Sequence, residues 1–347
     1  MKRSSGKTIV LGLLAGLLVL SSLLMACQAA APTTPTATAL PTFKLKFAIA
    51  DKAEDPHGQA AVMFMNGVES RTQGKVDIDF YPGGQLGDWY EITEAQVTGG
   101  VDITIGLLLP QFDPLFNILY MDYMAASYQE AREMFKPGGW LTELVGKRAE
   151  ELNLKVLSFL MTGALGVSNT KRPVRVPADL KGLKLRTPPF EVDRLEYQNY
   201  GASTIQMAFG EVFTALQTGT ADGQDNGPMI TYAYLKEQTP YYTHLRQVYE
   251  AIPLQVYLGT WQKLPAEYQK IFLEEAEKAG AWLNEQVEKT DEDYLKKMEQ
   301  AGTKVIRFDQ LTEAEKQAWL TTARDFWSQL SGVIGKAAVE EAASRAK

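Results

Sequence analysis

Few side chains in this 347-residue sequence invite a chemical reading: two histidines, one cysteine, and two polar residues that close short strands. His57 follows Asp55-Pro56 ahead of a helical pattern and reads as an exposed capping or loop residue. His244 stands among Tyr241, Tyr242 and Leu245 and reads as packing. There is no Gly-x-Ser-x-Gly elbow, no His-Glu-x-x-His and no Walker loop. The glycines of residues 83–87 are too weak a pattern for a phosphate cradle, and Glu274/Glu275 read as solvated helix charges. Nothing in the chain argues for an enzyme. A lone cysteine, Cys27, excludes a disulfide framework and a cysteine-rich metal site. Arg186 and Asn226 remain. Leu183-Lys184-Leu185-Arg186 alternates as a short strand that Pro188-Pro189 forbids to continue. Residues 221–226 form another extended piece, ended by Gly227-Pro228. In open α/β sheets, ligands bind in the crevice outside such strand ends. The residues alone leave Arg186 open between that role and a surface cation beside Lys181 and Lys184. They leave Asn226 open between that role and a turn asparagine.

The surrounding pattern supplies the strands. Residues 43–50 alternate, residues 55–72 carry Ala61, Phe64, Met65 and Val68 on one helical face, and residues 76–81 alternate again. A turn, a helix over 88–97 and a strand over 101–106 follow, which is the doubly wound α/β signature. Residues 107–126 are apolar but broken by Pro110 and Pro114 and interrupted by Asp113 and Asp122, so they read as irregular packed chain. A helical pattern over 127–153 breaks near 137–139, residues 155–161 read as a strand, and 163–176 include the crossing into a second domain. There, 190–199 reads as a helix, 203–207 as a strand, and 211–218 as a helix capped by Gly219. Residues 255–260 read as a strand. Residues 265–300 form a proline-free helical pattern, roughly 50 Å long if unbroken, with Gly280 as a candidate bend. A helix over 312–330 and an Ala/Glu-rich helix close the chain.

Residues 1–26 read as a targeting signal rather than fold. Lys2, Arg3 and Lys7 precede an apolar run over 9–24, and Leu-Met-Ala-Cys at 24–27 is a lipoprotein-type cleavage box. The alternatives are a plain signal peptide and a spanning anchor, for which the run is short. The expectation is that Cys27 becomes a lipidated first residue and that residues 27–42, rich in Ala, Thr and Pro, tether an extracytoplasmic body to a membrane. The whole chain carries 35 basic and 42 acidic residues, a net of −7; without the three basic residues of the signal, 32 stand against 42, a net of −10. That balance disfavours nucleic acid as a partner.

The run Asp-Leu-Lys-Gly-Leu-Lys-Leu-Arg at 179–186 is followed by Phe-Gly-Glu-Val-Phe-Thr-Ala-Leu-Gln-Thr-Gly-Thr-Ala-Asp-Gly-Gln-Asp-Asn at 209–226. With Tyr-Pro-Gly-Gly-Gln-Leu-Gly at 81–87, this resembles the solute-binding proteins of tripartite ATP-independent periplasmic (TRAP) transporters, the DctP family. The weaker pattern extends from about residue 44 to 269 and so covers most of the chain. The resemblance implies a bilobed, type II periplasmic-binding-protein-like fold, with two doubly wound α/β domains joined by hinge strands and a long helix. It divides the chain into residues 43–165 with 255–311 as the N-terminal lobe and its return segment, 166–254 as the second lobe, and 312–347 as C-terminal helices packing on the lobes. It implies a membrane permease as partner, a small carboxylate as ligand, and no cofactor. In the family the arginine of this motif, here Arg186, makes a bidentate salt bridge to the ligand carboxylate, for which a planar, always charged guanidinium is suited. Asn226 matches an asparagine that hydrogen-bonds the ligand or the carboxylate end of the cleft, and Phe209 an aromatic residue lining it.

The departures are informative. Some members carry a second arginine, and by spacing Gly166 takes its place. Sugar-acid binders carry acids where this chain has Trp89 and Leu107. The resulting expectation is a monocarboxylate with an apolar or aromatic body, its head on Arg186 and its body against Trp89, Leu107 and Phe209. Two alternatives keep the fold: metal-assisted binding of a 2-oxo or hydroxy acid through Asp225 and Gln206, and a ligand-sensing module for a membrane receptor.

Overall fold

The computed structural model describes residues 40–346. The expected signal, Cys27 and nearly all of the expected tether lie outside the described residues. In chain order the strands are β1 (Phe43–Ile49), β2 (Val76–Tyr81), β3 (Ile103–Ile105), β4 (Leu154–Ala164), β5 (Gly166–Asn169), β6 (Lys184–Thr187), β7 (Ser203–Gln206), β8 (Gly223–Asn226), β9 (Tyr241–Thr243), β10 (Tyr249–Tyr257) and β11 (Lys304–Ile306). They form two sheets, of order β2-β1-β3-β10-β4 and β11-β9-β5-β8-β6-β7. β1, β2 and β3 are parallel, as are β6, β7 and β8, while β10 runs antiparallel to β3 and β4, and β5 antiparallel to β8 and β9. Each sheet thus has a doubly wound parallel part completed by antiparallel strands.

Apolar alternation builds both cores. Phe47 of β1 meets Phe64 of the helix Pro56–Arg71 edge-on, and Phe64 meets Phe272 of the helix Ala266–Gln300, with ring centroids 5.9 and 5.5 Å apart. On the opposite face, Ala48 packs with Ile92 of the helix Trp89–Val97. In the second lobe Leu183 and Leu185 pack with Tyr197, Tyr200 and Trp319, the last from the C-terminal helix Glu313–Phe326.

Three connections join the sheets. β4 runs into β5 through Leu165, and β9 returns to β10 through residues 244–248. The two crossings bond to each other: Leu165 N–H donates to Val248 O and Arg246 N–H to Leu165 O, both at 2.8 Å. The helix Ala266–Gln300 is the third. It packs on β4 and the helix Pro56–Arg71 in the first lobe, and on the turn Pro228–Ile230 and β11 in the second. It runs unbroken past Gly280, whose role is close approach rather than a bend: a Cβ there would lie 2.3 Å from Ser158 Oγ on β4. Further along, Asp291 Oδ2 accepts from Tyr128 Oη at 2.5 Å and from Ala164 N–H at 2.8 Å, tying the helix to the crossing. Burial raises the Asp291 carboxyl to about 7.

Some segments differ from the expectation. β10 begins at Tyr249, so residues 249–254, assigned above to the second lobe, lie in the first sheet, whereas β11 at 304–306 lies in the second. Residues 258–260, expected as strand, form a helical turn, Leu258–Trp261. The cause is the neighbouring strand: Tyr257 pairs with Leu154, where β4 begins, and no ladder is available beyond it.

Candidate functional site

The crevice between the sheets contains a cavity of about 110 Å³. Its walls come from both lobes. From the second, β6 turns Leu185 into the core and Arg186, the next residue, to the cavity. Arg186 is 3 % exposed; its Nε donates to Met207 O at 3.0 Å, and its guanidinium carbon lies 5.9 Å from the centre of the Phe209 ring. Among the described residues no carboxylate forms an ion pair with it within 4.0 Å. Burial lowers its pKa from the ordinary value, while Asp225, Asp193 and Glu250 oppose that shift from a distance. A buried guanidinium without a partner is costly, and it is stabilised by an anion arriving in the cavity.

Asn226 ends β8 and also lines the cavity. Its Nδ2 donates to Gln224 Oε1, which holds its side chain at the wall, and its backbone carbonyl accepts from Tyr242 Oη at 3.0 Å. Phe209 lies on the 3₁₀ turn Phe209–Glu211 and meets Trp89, from the other lobe, edge-on at 5.9 Å. Trp89 is the first residue of its helix. Asp88 caps that helix by accepting from Tyr90 N–H and Glu91 N–H at 2.9 and 3.0 Å, and Glu91 accepts back from Asp88 N–H at 3.0 Å. The capping box thus sets where the indole enters the crevice. Leu107, just beyond β3, completes the apolar side.

Five of the six ligand-site residues singled out in the sequence therefore share one cavity. Gly166 is the exception: it is not among the lining residues, and a Cβ on it would lie 2.4 Å from Thr243 O and 2.6 Å from Tyr242 Oη. Its ladder partner is Asn226 on β8, its Cβ position is filled by those β9 residues, and the preceding residue, Leu165, reaches the cavity instead.

The structure adds residues that the sequence reading passed over. His57, expected on the surface, is 2 % exposed and lines the cavity with Asp51, and among the described residues neither its ring nitrogens nor Asp51 Oδ2 has a hydrogen-bond partner. Asp51 Oδ1 lies 3.7 Å from His57 Nδ1. For His57, burial opposes protonation, but Asp51, Glu250 and Asp55 outweigh it and its pKa is raised. Glu250 on β10 accepts from Thr162 Oγ1 at 2.6 Å, and its pKa is raised by burial. Asp193 and Asp225 line the second-lobe side, both raised by burial. Behind them Asp122 accepts from Tyr200 Oη at 2.5 Å and Glu196 from Asp122 N–H at 3.1 Å; burial raises Asp122 to about 7. Strand-end acids carry no periodic signal, so only the pairing of β10 between β3 and β4 brings Glu250 to Asp51. Gln206 donates to Phe190 O at 3.1 Å and does not line the cavity with Asp225. His244 is packed as expected, its Nε2 3.1 Å from Ala164 O and its pKa lowered to about 3 by burial and Arg246. Among the described residues no group of three or more His, Cys, Asp or Glu is placed to hold a metal ion.

The profile of bacterial extracellular solute-binding proteins, family 7, the DctP family, matches residues 47–331. The chain belongs to this family of TRAP solute-binding proteins. A solute-binding protein of Verminephrobacter eiseniae is 31% identical over 310 residues, 88% of this chain and 90% of that one. The C4-dicarboxylate-binding periplasmic protein DctP of Rhodobacter capsulatus is 29% identical over 310 residues, covering 86% of this chain and 90% of its own length. A TRAP periplasmic solute-binding protein from Haemophilus influenzae, solved with bound L-gulonate, superposes with a TM-score of 0.79 at 25% identity, covering 87% of this chain and 99% of that one. The DctP-family fold is bilobed, as the two sheets are here. Among the described residues no helix is long and apolar enough to cross a membrane.

Proposed function

We propose that this DctP-family protein captures an organic acid between its lobes, holds the carboxylate on Arg186, and delivers it to a TRAP membrane permease. The observation that carries the reading is the guanidinium itself: buried, lining an inter-lobe cavity, and without an ion-pair partner. Relatives that bind C4-dicarboxylate and L-gulonate support the ligand class, since both are carboxylates. Nε is engaged by Met207 O, which leaves the terminal nitrogens as the fork for two carboxylate oxygens. Asn226 supplies a further polar contact beside it. Trp89, Leu107 and Phe209 form the apolar side, which suits a monocarboxylate with an apolar or aromatic body. At about 110 Å³ the cavity lies below the roughly 300 Å³ at which drug-sized ligand pockets begin, so this lobe arrangement suits a compact acid.

Movement about the two crossings and the long helix would admit the ligand and then desolvate it, with the contact of Trp89 and Phe209 closing the apolar side. Cys27, as a lipidated first residue, would hold the body at a membrane surface. Native mass spectrometry of the purified protein tests the ligand class directly: a co-purified carboxylate is expected, and titration of that acid into Arg186→Ala is expected to show binding weakened about a hundredfold or more. Unchanged binding would remove Arg186 from the site.

A further inference from the structure

The cavity that holds Arg186 carries an excess of acceptors. One guanidinium and one imidazole share it with four carboxylates, Asp51 and Glu250 on the opposite wall and Asp193 and Asp225 on the side of Arg186 itself. On the first-sheet side, Asp51 lines the cavity and is 5 % exposed, and among the described residues its Oδ2 has no hydrogen-bond partner. The backbone there is fixed, because the turn after β2 folds over the end of β1: Gly83 N–H donates to Asp51 O at 2.7 Å and Gly84 N–H to Ile49 O at 3.1 Å. Beside it, both His57 nitrogens are unpartnered, and Glu250 has a single side-chain donor in Thr162. A buried carboxylate oxygen left without a donor costs free energy that an incoming N–H or O–H recovers. A second anion has the opposite effect, since it would be placed among acids in a low-dielectric space.

We infer that Asp51, His57 and Glu250 form a second subsite, which takes a hydrogen-bond-donating group without negative charge, an ammonium or a hydroxyl, from the ligand whose carboxylate sits on Arg186. The inference rests on Arg186 as the head-group clamp and adds the chemistry of the other end: the ligand is polar at both poles but anionic at one. The acid count favours ammonium of the two donors. A dicarboxylate is disfavoured, because its second head would meet Asp51 and Glu250.

Calorimetric titration with acids of equal chain length tests this. A four-carbon series comprises butyrate, 4-hydroxybutyrate, 4-aminobutyrate and succinate. Three-, five- and six-carbon series of the same make-up, and the 2-hydroxy and 2-amino acids, cover other spacings of the two poles. In the best-fitting series the amino or hydroxy acid is expected to bind at least tenfold more tightly than the plain acid and the dicarboxylate. Comparison of those two members distinguishes ammonium from hydroxyl. Asp51→Asn is expected to cut the margin of the donor-bearing acid over the plain acid about tenfold, and Glu250→Gln provides the same measurement should Asp51→Asn fail to fold. A dicarboxylate or plain acid that binds as tightly as the donor-bearing member overturns the inference. So does a margin that survives both substitutions, or a set in which no donor-bearing acid binds. If Arg186→Ala leaves every affinity unchanged, it is instead the carboxylate reading that falls.

Discussion

The two walls of the crevice are built from the same kind of sheet and each carries two acids, but only one of them carries a guanidinium. The second-lobe wall presents a buried cation that, among the described residues, no carboxylate pairs within 4.0 Å, although Asp225 and Asp193 act on it from farther away. The first-lobe wall presents Asp51 and Glu250 beside the apolar faces of Trp89 and Leu107. Neither wall is complete alone: one has an unpaired donor fork, the other an unpaired acceptor. On the proposal made above, a ligand that bridges them is polarised end to end.

That contrast can be broken most sharply at Arg186. Arg186→Ala removes the charge of the second wall, and the expected loss is about 3–5 kcal/mol of binding, read by calorimetry with the co-purified acid. Arg186→Lys keeps the charge without the fork, and is expected to recover only part of that loss. Next comes Gly166. If the second wall lacked a further cation merely for want of a side chain, Gly166→Arg would add a clamp. The contact of its Cβ direction with Thr243 O and Tyr242 Oη instead predicts a loss of stability, about 1–3 kcal/mol or more, with no gain in affinity, checked by denaturant melts alongside titration.

Smaller effects sharpen the comparison. Trp89→Ala deletes the aromatic contact that joins the walls, and is expected to weaken binding about tenfold, in keeping with about 0.5–1.5 kcal/mol for an aromatic pair plus lost area. The smallest concerns the acids behind Arg186. Burial raises Asp122 from its ordinary value to about 7, so its contribution to stability is full below about pH 4 and is lost as pH rises through 7. Asp122→Asn removes that titration, and Asn still accepts from Tyr200 Oη. The melting temperature of the variant relative to the parent is therefore expected to rise by a few degrees between pH 5 and pH 8. A difference that stays flat with pH would mean that Asp122 is ionised at little cost in the folded protein.

Much of the second wall was legible from the chain. The alternation at 183–186 and the proline stop put Arg186 at a strand end, and the resemblance of its motif gave it a role. Phe209, Trp89, Leu107 and Asn226 share its cavity for the same reason: each stands where an element begins or ends. The acidic wall was not legible, because Asp51 and Glu250, far apart in the chain, are brought together only by antiparallel β10 inserting between β3 and β4, a long-range pairing that no local pattern encodes. His57 was misread from its neighbours, since Asp55-Pro56 signals a helix start but not which way its first turn faces. Gly280 was misread as a bend when it is a seat for Ser158. The three-residue strands β9 and β11 are too short to show a period.

The unbroken helix Ala266–Gln300 is pressed against β4 at one end and against β11 at the other. Two strands can pivot at Leu165 and Val248, but a rod of 35 residues, roughly 50 Å long, resists flexure along its whole length. It behaves as a leaf spring laid across two plates. Any rotation of one lobe against the other must therefore bend this helix or slide it along β4 or β11.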